Sequence, residues 1–278
     1  MTISSSTQRL WKASKAFCRL AAVLLPAFYL TGISLMAGNP PAPKLEHVPD
    51  LDGPGLAALL SSMEPIENNE MRGTFIISNK TKHLRSEVPF VGKVIRHGTN
   101  WDSVFEAAAT AKTPAETLVV VHTPDAPNRY FYGRAPSLTN STVNPQPISR
   151  DKAASTAFAG SDYSLADLGL DFLHWPLQER QGGQTRLSRS CFVLQSRDDR
   201  SPGIVRVRSF IDEEYATTIG SQGFPAILVA EAYDLQNEEV KEFSLHRSSF
   251  KKVNGQYKLE QMEIDNLKTG SQTTMKFD

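Results

Sequence analysis

Cysteine is nearly absent: 278 residues contain two, Cys18 and Cys191. Cys18 lies in a leading segment that reads as removable, which would leave Cys191 as the single thiol of the body and exclude an internal disulfide there. Stability must then come from an apolar core. Cys191 sits in the strand-like run SCFVL, where a buried small hydrophobe is expected rather than a nucleophile. Metal-ligand spacings are also missing. The histidines His47, His83, His97, His122, His174 and His246 make no helical pair, and there is no HExxH or paired CxxC, so no metal site is assigned. GxGxxG and GxxxxGK are absent, which removes the usual nucleotide cradles, and no cofactor is expected. GxSxG is absent too. Ser248-Ser249-Phe250-Lys251 has the loose SxxK form, but it lies between strand-like runs instead of opening a helix, and no catalytic residue is assigned from it. The chain also lacks net charge, with 30 basic and 30 acidic side chains. Four of the basic ones, Arg9, Lys12, Lys15 and Arg19, precede residue 20 in a stretch without acids, leaving 26 against 30 in the remainder. A mildly acidic body does not suit nonspecific binding to nucleic acid, which needs clustered cations to displace phosphate counterions.

What is present begins with that basic stretch, followed by the uncharged run LAAVLLPAFYLTGISLMAG and then NPPAP. Residues 1–38 read as a secretory signal peptide. The alternative is an uncleaved N-terminal anchor, since the run approaches the ~20 residues that cross a bilayer. Pro26 and Gly32 weaken a long helix, and Ala37 and Gly38 offer small residues for cleavage. Residues 39–54, rich in proline and glycine, read as a linker, and residues 55–278 as one folded domain.

In the domain, Leu56, Leu59, Leu60 and Met63 fall at helical spacing. From Met71 the period changes to two. MRGTFIIS, VPFVGKVIRHG, ETLVVVHT and NRYFYGR read as strands, and WDSVFEAAATA suits strand or helix equally. SLTNSTVNPQPISR reads as a loop. The stretch DKAASTAFAGSDYSLADLGLDFLHWP ends in an apolar patch that suggests one or two helical turns docked on a sheet. Beyond it, RSCFVLQS, GIVRVRSFID, AILVAEAYD, VKEFSLHR, GQYKLEQMEID and TTMKF form a strand-rich tail, with Asn254-Gly255 as a hairpin signal. Gly182 to Gln184 reads as a loop. Val205, Val207, Ser209 and Ile211 share one strand face, and Arg206, Arg208 and Phe210 the other. The fold class is therefore mainly antiparallel β with a few helices (α+β), a sheet that curls around its helices or leaves an apolar cavity. Asp212, Glu213 and Glu214 cannot all face one point on a strand, and they read as a solvated strand end rather than a cation site.

The block FAGSDYSLADL places Asp162 and Asp167 five positions apart. Gly160 permits a sharp turn, Ser161 or Asp162 can bond nearby N–H groups, and Ser164 with Asp167 has the S-x-x-D form that caps a helix. Both aspartates read as structural rather than as an acid–base or metal pair.

This block, with SRSCFVLQS, RVRSFIDEEY, AEAYDLQNEEVKEF and TTMKF after it, resembles the outer-membrane lipoprotein-sorting proteins, the LolA-like family, in a branch marked by GSD-[FY]-[ST]-x-x-D-L. The matching positions are Gly160, Ser161, Asp162, Tyr163, Ser164, Asp167 and Leu168, then Asp212, then Tyr233 and Asp234 with Asn237 and Lys241. The inserted TTIGSQGF after Tyr215 departs from the pattern. The resemblance implies a curled, incomplete β-barrel covered by helices, in a periplasmic, non-catalytic carrier whose partners are lipid or lipoprotein acyl chains and a membrane-protein donor or acceptor. It assigns no ligand-contacting residue. A membrane-anchored interaction or sensor domain of the same fold is the first rival. An unrecognised hydrolase is the second, and it requires a base within hydrogen-bond reach of a Ser, Thr or Cys. Export with cleavage predicts a mature N-terminus between Ala37 and Asn39 on N-terminal sequencing of protein from its native host; an intact N-terminus selects the anchored form.

Overall fold

The structure, a computed structural model, describes residues 51–65, 68–79, 81–124, 126–138, 143–213, 226–245, 249–253 and 256–278. The leading segment, Glu214, His47, His246, Ser248 and the Asn254-Gly255 dipeptide lie outside them. Among the described residues no helix is long and apolar enough to cross a membrane.

Helix α1 (Gly53–Ser61) opens the domain. Its cap is Asp52, whose carboxylate accepts from the Gly55 N–H at 2.8 Å, and Pro54 occupies the first turn, where no N–H is needed. Leu56 and Leu60 are buried as the spacing predicts. Strands β1 (Asn69–Asn79), β2 (Leu84–His97), β3 (Asn100–Ala107), β4 (Glu116–Thr123), β5 (Ala126–Arg134) and β6 (Gln146–Ile148) then form an antiparallel meander. The ambiguous WDSVFEA is strand β3, paired on both sides, so ladder hydrogen bonds and the burial of Trp101 and Phe105 outweigh the helix propensity of its alanines.

A second meander comprises β7 (Leu177–Arg186), β8 (Arg189–Arg197), β9 (Arg206–Asp212), β10 (Ile227–Tyr233), β11 (Glu239–Ser244), β14 (Gln261–Asn266) and β15 (Ser271–Phe277). Strands β12 (Phe250–Val253) and β13 (Gln256–Leu259) form a separate two-stranded ribbon. β15 pairs with β1, so the two meanders join into one thirteen-stranded antiparallel sheet with β6 and β7 at its edges. The edges do not pair with each other, and the sheet is an open, curled barrel.

The segment between β6 and β7 runs from one edge to the other and fills the inside. It contains α2 (Arg150–Ser155), α3 (Leu165–Leu168) and a 3-10 turn (Asp171–His174). The local chemistry is legible residue by residue. The Ser149 hydroxyl caps α2 and Ser164 caps α3, while Asp167 returns a bond to the Ser164 N–H at 2.7 Å, completing a capping box. Gly160, at φ 70°, makes the turn before it. Phe158 and Tyr163 then enter the aromatic core, with ring centroids 5.9 and 6.1 Å from that of Phe75, which itself lies 4.6 Å from Phe90.

Asp162 fastens this plug to the middle of the sheet. Its carboxylate accepts from the hydroxyls of Ser271 and Thr273 on β15, and its N–H donates to the Thr273 oxygen at 2.9 Å. Lys241 of β11 donates to the Asp162 carbonyl at 2.8 Å and to the Asp167 carboxylate at 3.0 Å.

Several expectations need correction. Gly182 to Gln184 belongs to β7, where the register shifts between Gln181 and Gln184; a bulge absorbs the glycines without ending the ladder. The loop expected through Gln146–Arg150 contains β6 and the first residue of α2. Asp212 is not solvated: it is fully buried and held in an ion pair by Arg189 across the sheet. Phe210 shares the outer strand face with Arg206 and Arg208 as its position predicts, but it is buried under the guanidinium of Arg186, 4.1 Å from the ring centre.

Replacing Asp162 with alanine removes two charge-assisted hydrogen bonds to β15. The expected result is a loss of about 2 kcal/mol, measured as a lower urea midpoint at unchanged m-value.

Candidate functional site

The plug does not pack uniformly against the sheet. Over β1–β4 the gap is closed by Phe75, Phe90, Phe105, Leu118 and Phe158. Over β9, β10, β11 and β14 the inward residues are smaller, and the helical turns stand off from them. The result is a cavity of about 60 Å³ walled by Val207, Ile227, Ala230, Ala232, Phe243 and Ile264 from the sheet and by Leu168, Leu170 and Phe172 from the plug. Three polar residues, Tyr163, Asp167 and Lys241, also line it.

This cavity adjoins a wider cleft of about 450 Å³, and Asp167, Phe172, Val207 and Lys241 belong to the lining of both. The cleft is bounded by the β8–β9 loop at Ser201–Ile204, by the turn after β14 at Asn266–Thr269, and by Trp175. Strand pairing places these turns at one end of the sheet, together with the β1–β2 and β10–β11 turns. Five of the seven exposed large apolar side chains among the described residues stand at this same end: Leu84, Leu138, Leu177, Leu235 (67 % exposed) and Leu267.

A polar cluster stands beside the cleft, whose lining includes Asp171. Arg150 clamps the buried Asp171 carboxylate through two nitrogens, at 2.8 and 3.1 Å, and the Tyr130 hydroxyl donates to the same carboxylate at 3.1 Å. Burial, then the Asp171 charge, pushes the Tyr130 hydroxyl pKa up. Nearby, Ser103 Oγ lies 3.0 Å from His122 Nε2, and His122 stacks on Trp101 with ring centroids 4.9 Å apart. A serine within reach of a histidine is what a hydrolase would require. Ser103, however, is 1 % exposed, and neither residue lines the cavity or the cleft. Burial lowers the His122 pKa to about 4, against the Asn128 hydrogen bond that raises it and with the His174 charge that lowers it further. Such an imidazole is neutral at pH 7.

The motif residues divide between three places. Gly160 to Leu168 are brought together in the plug, with Tyr163, Asp167 and Leu168 on the cavity wall. Asp212 and Tyr233 point to the opposite face of the sheet, where the Tyr233 hydroxyl donates to Glu231 at 2.7 Å and Arg206 covers its ring. Asp234 is a turn residue at the cleft end: it accepts from the N–H groups of Gln236 and Glu238, and Lys268 at 2.6 Å holds its carboxyl below the usual range. Cys191 is buried on the outer face, its thiol pushed up by burial. Ser249 of the SxxK stretch is buried as well. Among the described residues no three His, Cys, Asp or Glu side chains gather in a way that could hold a metal ion. The cavity walls Ala230, Ala232, Phe243 and Ile264 were not singled out by sequence. The signal was their period-two spacing, which marks an inner face without marking a gap.

An open antiparallel sheet curled around a helical plug, with an apolar cavity between them, defines the class. No protein-family model matches the chain, nor does any curated protein sequence. Solved structures do. A DUF1329 family protein from Desulfovibrio piger is 17 % identical, with a TM-score of 0.61 over 81 % of this chain and 90 % of that one. A putative outer membrane lipoprotein-sorting protein domain from Vibrio parahaemolyticus is 16 % identical, with a TM-score of 0.56 over 76 % and 83 %. A LolA superfamily protein from Nitrosomonas europaea is 12 % identical, with a TM-score of 0.53 over 80 % and 90 %. The fold is LolA-like.

The depressed His122 pKa fixes a pH dependence of stability. Below pH 6.5 the unfolded chain takes up a proton that the folded imidazole refuses, so stability falls from pH 6.5 toward pH 4, by up to ~1.4 kcal/mol per unit. His122→Asn is expected to flatten this slope in urea titrations between pH 7 and pH 4.

Proposed function

We propose that the protein is an exported, periplasmic carrier that holds an acyl chain of a lipid or lipoprotein between the plug and strands β9–β11 and β14, without chemical turnover. The observation that carries this reading is the apolar cavity beside a larger cleft, with Asp167, Phe172, Val207 and Lys241 shared between their linings, in a LolA-like fold. An acyl chain fits the chemistry of the site. Its methylenes gain by leaving water for the aliphatic walls of the cavity, where Tyr163, Asp167 and Lys241 are the only polar residues among those described in the lining. The neighbours from Vibrio parahaemolyticus and Nitrosomonas europaea support the same reading at the level of fold.

The leucines at the cleft end supply the contact surface. Leu235 and Leu267 stand on adjacent turns joined by the Lys268–Asp234 ion pair, beside the opening through which a chain would enter. A membrane-protein donor or acceptor is received there, with apolar tips set against it as the chain passes between sites. The leading segment directs export on this reading.

Uptake of a fluorescent fatty acid and native mass spectrometry of protein purified with its lipids test the proposal. Affinity for a series of alkyl chains is expected to rise about fourfold for each added methylene until the cleft is filled, at ~0.8 kcal/mol per buried CH₂. Ala232→Phe, which places a ring in the cavity, is expected to reduce uptake at least tenfold while the circular dichroism spectrum is retained. Absence of bound lipid together with absence of uptake would overturn the carrier.

A further inference from the structure

Three neighbouring hairpins carry exposed leucines at their tips. Leu84 closes the β1–β2 turn, Leu235 lies in the β10–β11 turn and Leu267 in the β14–β15 turn, and they are 58 %, 67 % and 51 % exposed. A single exposed leucine is ordinary, but turns are usually built from Gly, Asn, Asp, Ser and Pro. Three leucines on adjacent turns make a surface. Strand pairing sets the turns side by side, since β1 lies next to β15 and β14 next to β11. Cross-bonds then tie them together. The Asn79 side-chain amide donates to the Thr269 carbonyl at 3.0 Å, the Leu267 N–H to the Val240 carbonyl at 3.0 Å, and the Lys268 ammonium to the Asp234 carboxylate at 2.6 Å.

The charges beside the leucines indicate what covers them. The β1–β2 turn contains Lys80 and Lys82 and no acid, and the β14–β15 turn contains Lys268 and no acid. Lys82 is exposed and makes no ion pair among the described residues. Arg85, next to Leu84, is balanced by Glu87. The β10–β11 turn has two acids: Asp234 is buried under the Lys268 ammonium, and Glu238 is exposed. The outer tips therefore present leucines beside uncompensated lysine charge. That combination suits the boundary of a bilayer, where apolar side chains enter the acyl region and ammonium groups meet lipid phosphates. The same row borders the cleft, whose lining includes Asn266, Lys268 and Thr269. An acyl chain leaving a bilayer held against these tips meets the opening without crossing water.

We propose that the three hairpin tips dock the protein on an anionic lipid bilayer, with Leu84, Leu235 and Leu267 inserted at the headgroup boundary and Lys82 and Lys268 against the phosphates. This rests on the carrier reading and adds the lipid surface itself, around any donor or acceptor protein embedded in it, as a partner.

The test is hydrogen–deuterium exchange of the full chain, read at the three turns while vesicles are added, either phosphatidylcholine alone or phosphatidylcholine with an equal part of phosphatidylglycerol. Exchange at the turns reports docking whether or not the leading segment also holds the chain to lipid. In the wild type it is expected to slow at all three turns, at lower lipid concentration for the anionic vesicles. Each of Leu84→Ser, Leu235→Ser and Leu267→Ser is expected to raise the lipid concentration required about tenfold. Lys82→Ser is expected to raise it about fivefold on anionic vesicles and to leave phosphatidylcholine unaffected. All four side chains are exposed, so the circular dichroism spectrum and urea midpoint of each variant should match the wild type. Unslowed exchange at the turns, or equal slowing in the triple leucine variant, overturns the docking and leaves the leucines to a protein partner. Uptake of a fluorescent fatty acid without vesicles is scored separately: uptake without turn protection overturns the docking alone, and turn protection without uptake overturns the carrier.

Discussion

Asp162 is the point on which the arrangement turns. The plug is the only connection between the edge strands β6 and β7, and a connection of that length could as easily lie across the outside of the sheet. What holds it inside is a carboxylate seated on the Ser271 and Thr273 hydroxyls of β15, backed by Lys241 reaching the same turn from β11. β15 lies at the centre of the strand order, where the two meanders meet. The tether therefore sits at the centre of the sheet, with six strands on either side of β15. The capping box of Ser164 and Asp167 extends the same economy. One carboxylate oxygen of Asp167 receives both the Ser164 N–H and the Lys241 ammonium, so helix start and sheet attachment depend on the same atom.

These groups were legible in the sequence to different depths. The turn at Gly160 and the cap at Ser164 are local, because the residues that satisfy each other lie within four positions, and spacing alone identifies them. The same holds for the alternation of Val207, Ser209 and Ile211 with Arg206, Arg208 and Phe210. Partners distant in sequence were not legible. Nothing near Asp162 names Ser271 or Thr273, and nothing near Asp212 names Arg189; a run of three acids reads as solvated until the cross-strand cation is known. The Ser103–His122 contact escaped for the same reason, since β3 and β4 bring them together only through register. Burial also decides what that contact means, and burial is a property of the whole fold.

The resemblance noted from Gly160, Asp162 and Asp167 and the similarity of the solved structures rest on different information. The first depends on a handful of side chains in the plug and the second on the path of some two hundred residues at identities of 12–17 %. They meet in the plug, which carries most of the quoted motif and also determines whether the concave side is filled or hollow. The block whose aspartates read as structural ties the helical turns to the sheet.

That distance, with the sizes of the facing side chains, explains why the cavity lies where it does. On the β1–β4 side the inner face presents phenylalanines, and Phe158 of the plug interlocks with Phe75 and Phe105. On the β10 side the corresponding positions are Ala230 and Ala232, whose single methyl groups cannot reach Leu168, Leu170 or Phe172. A plug fixed by Asp162 cannot settle toward the alanines without tearing Phe158 and Tyr163 from the aromatic cluster. The space persists because closing it would cost more packing on one side than it returns on the other. Tyr163 lies at the boundary between the two halves, its ring on the filled side against Phe75 and its residue on the wall of the hollow one.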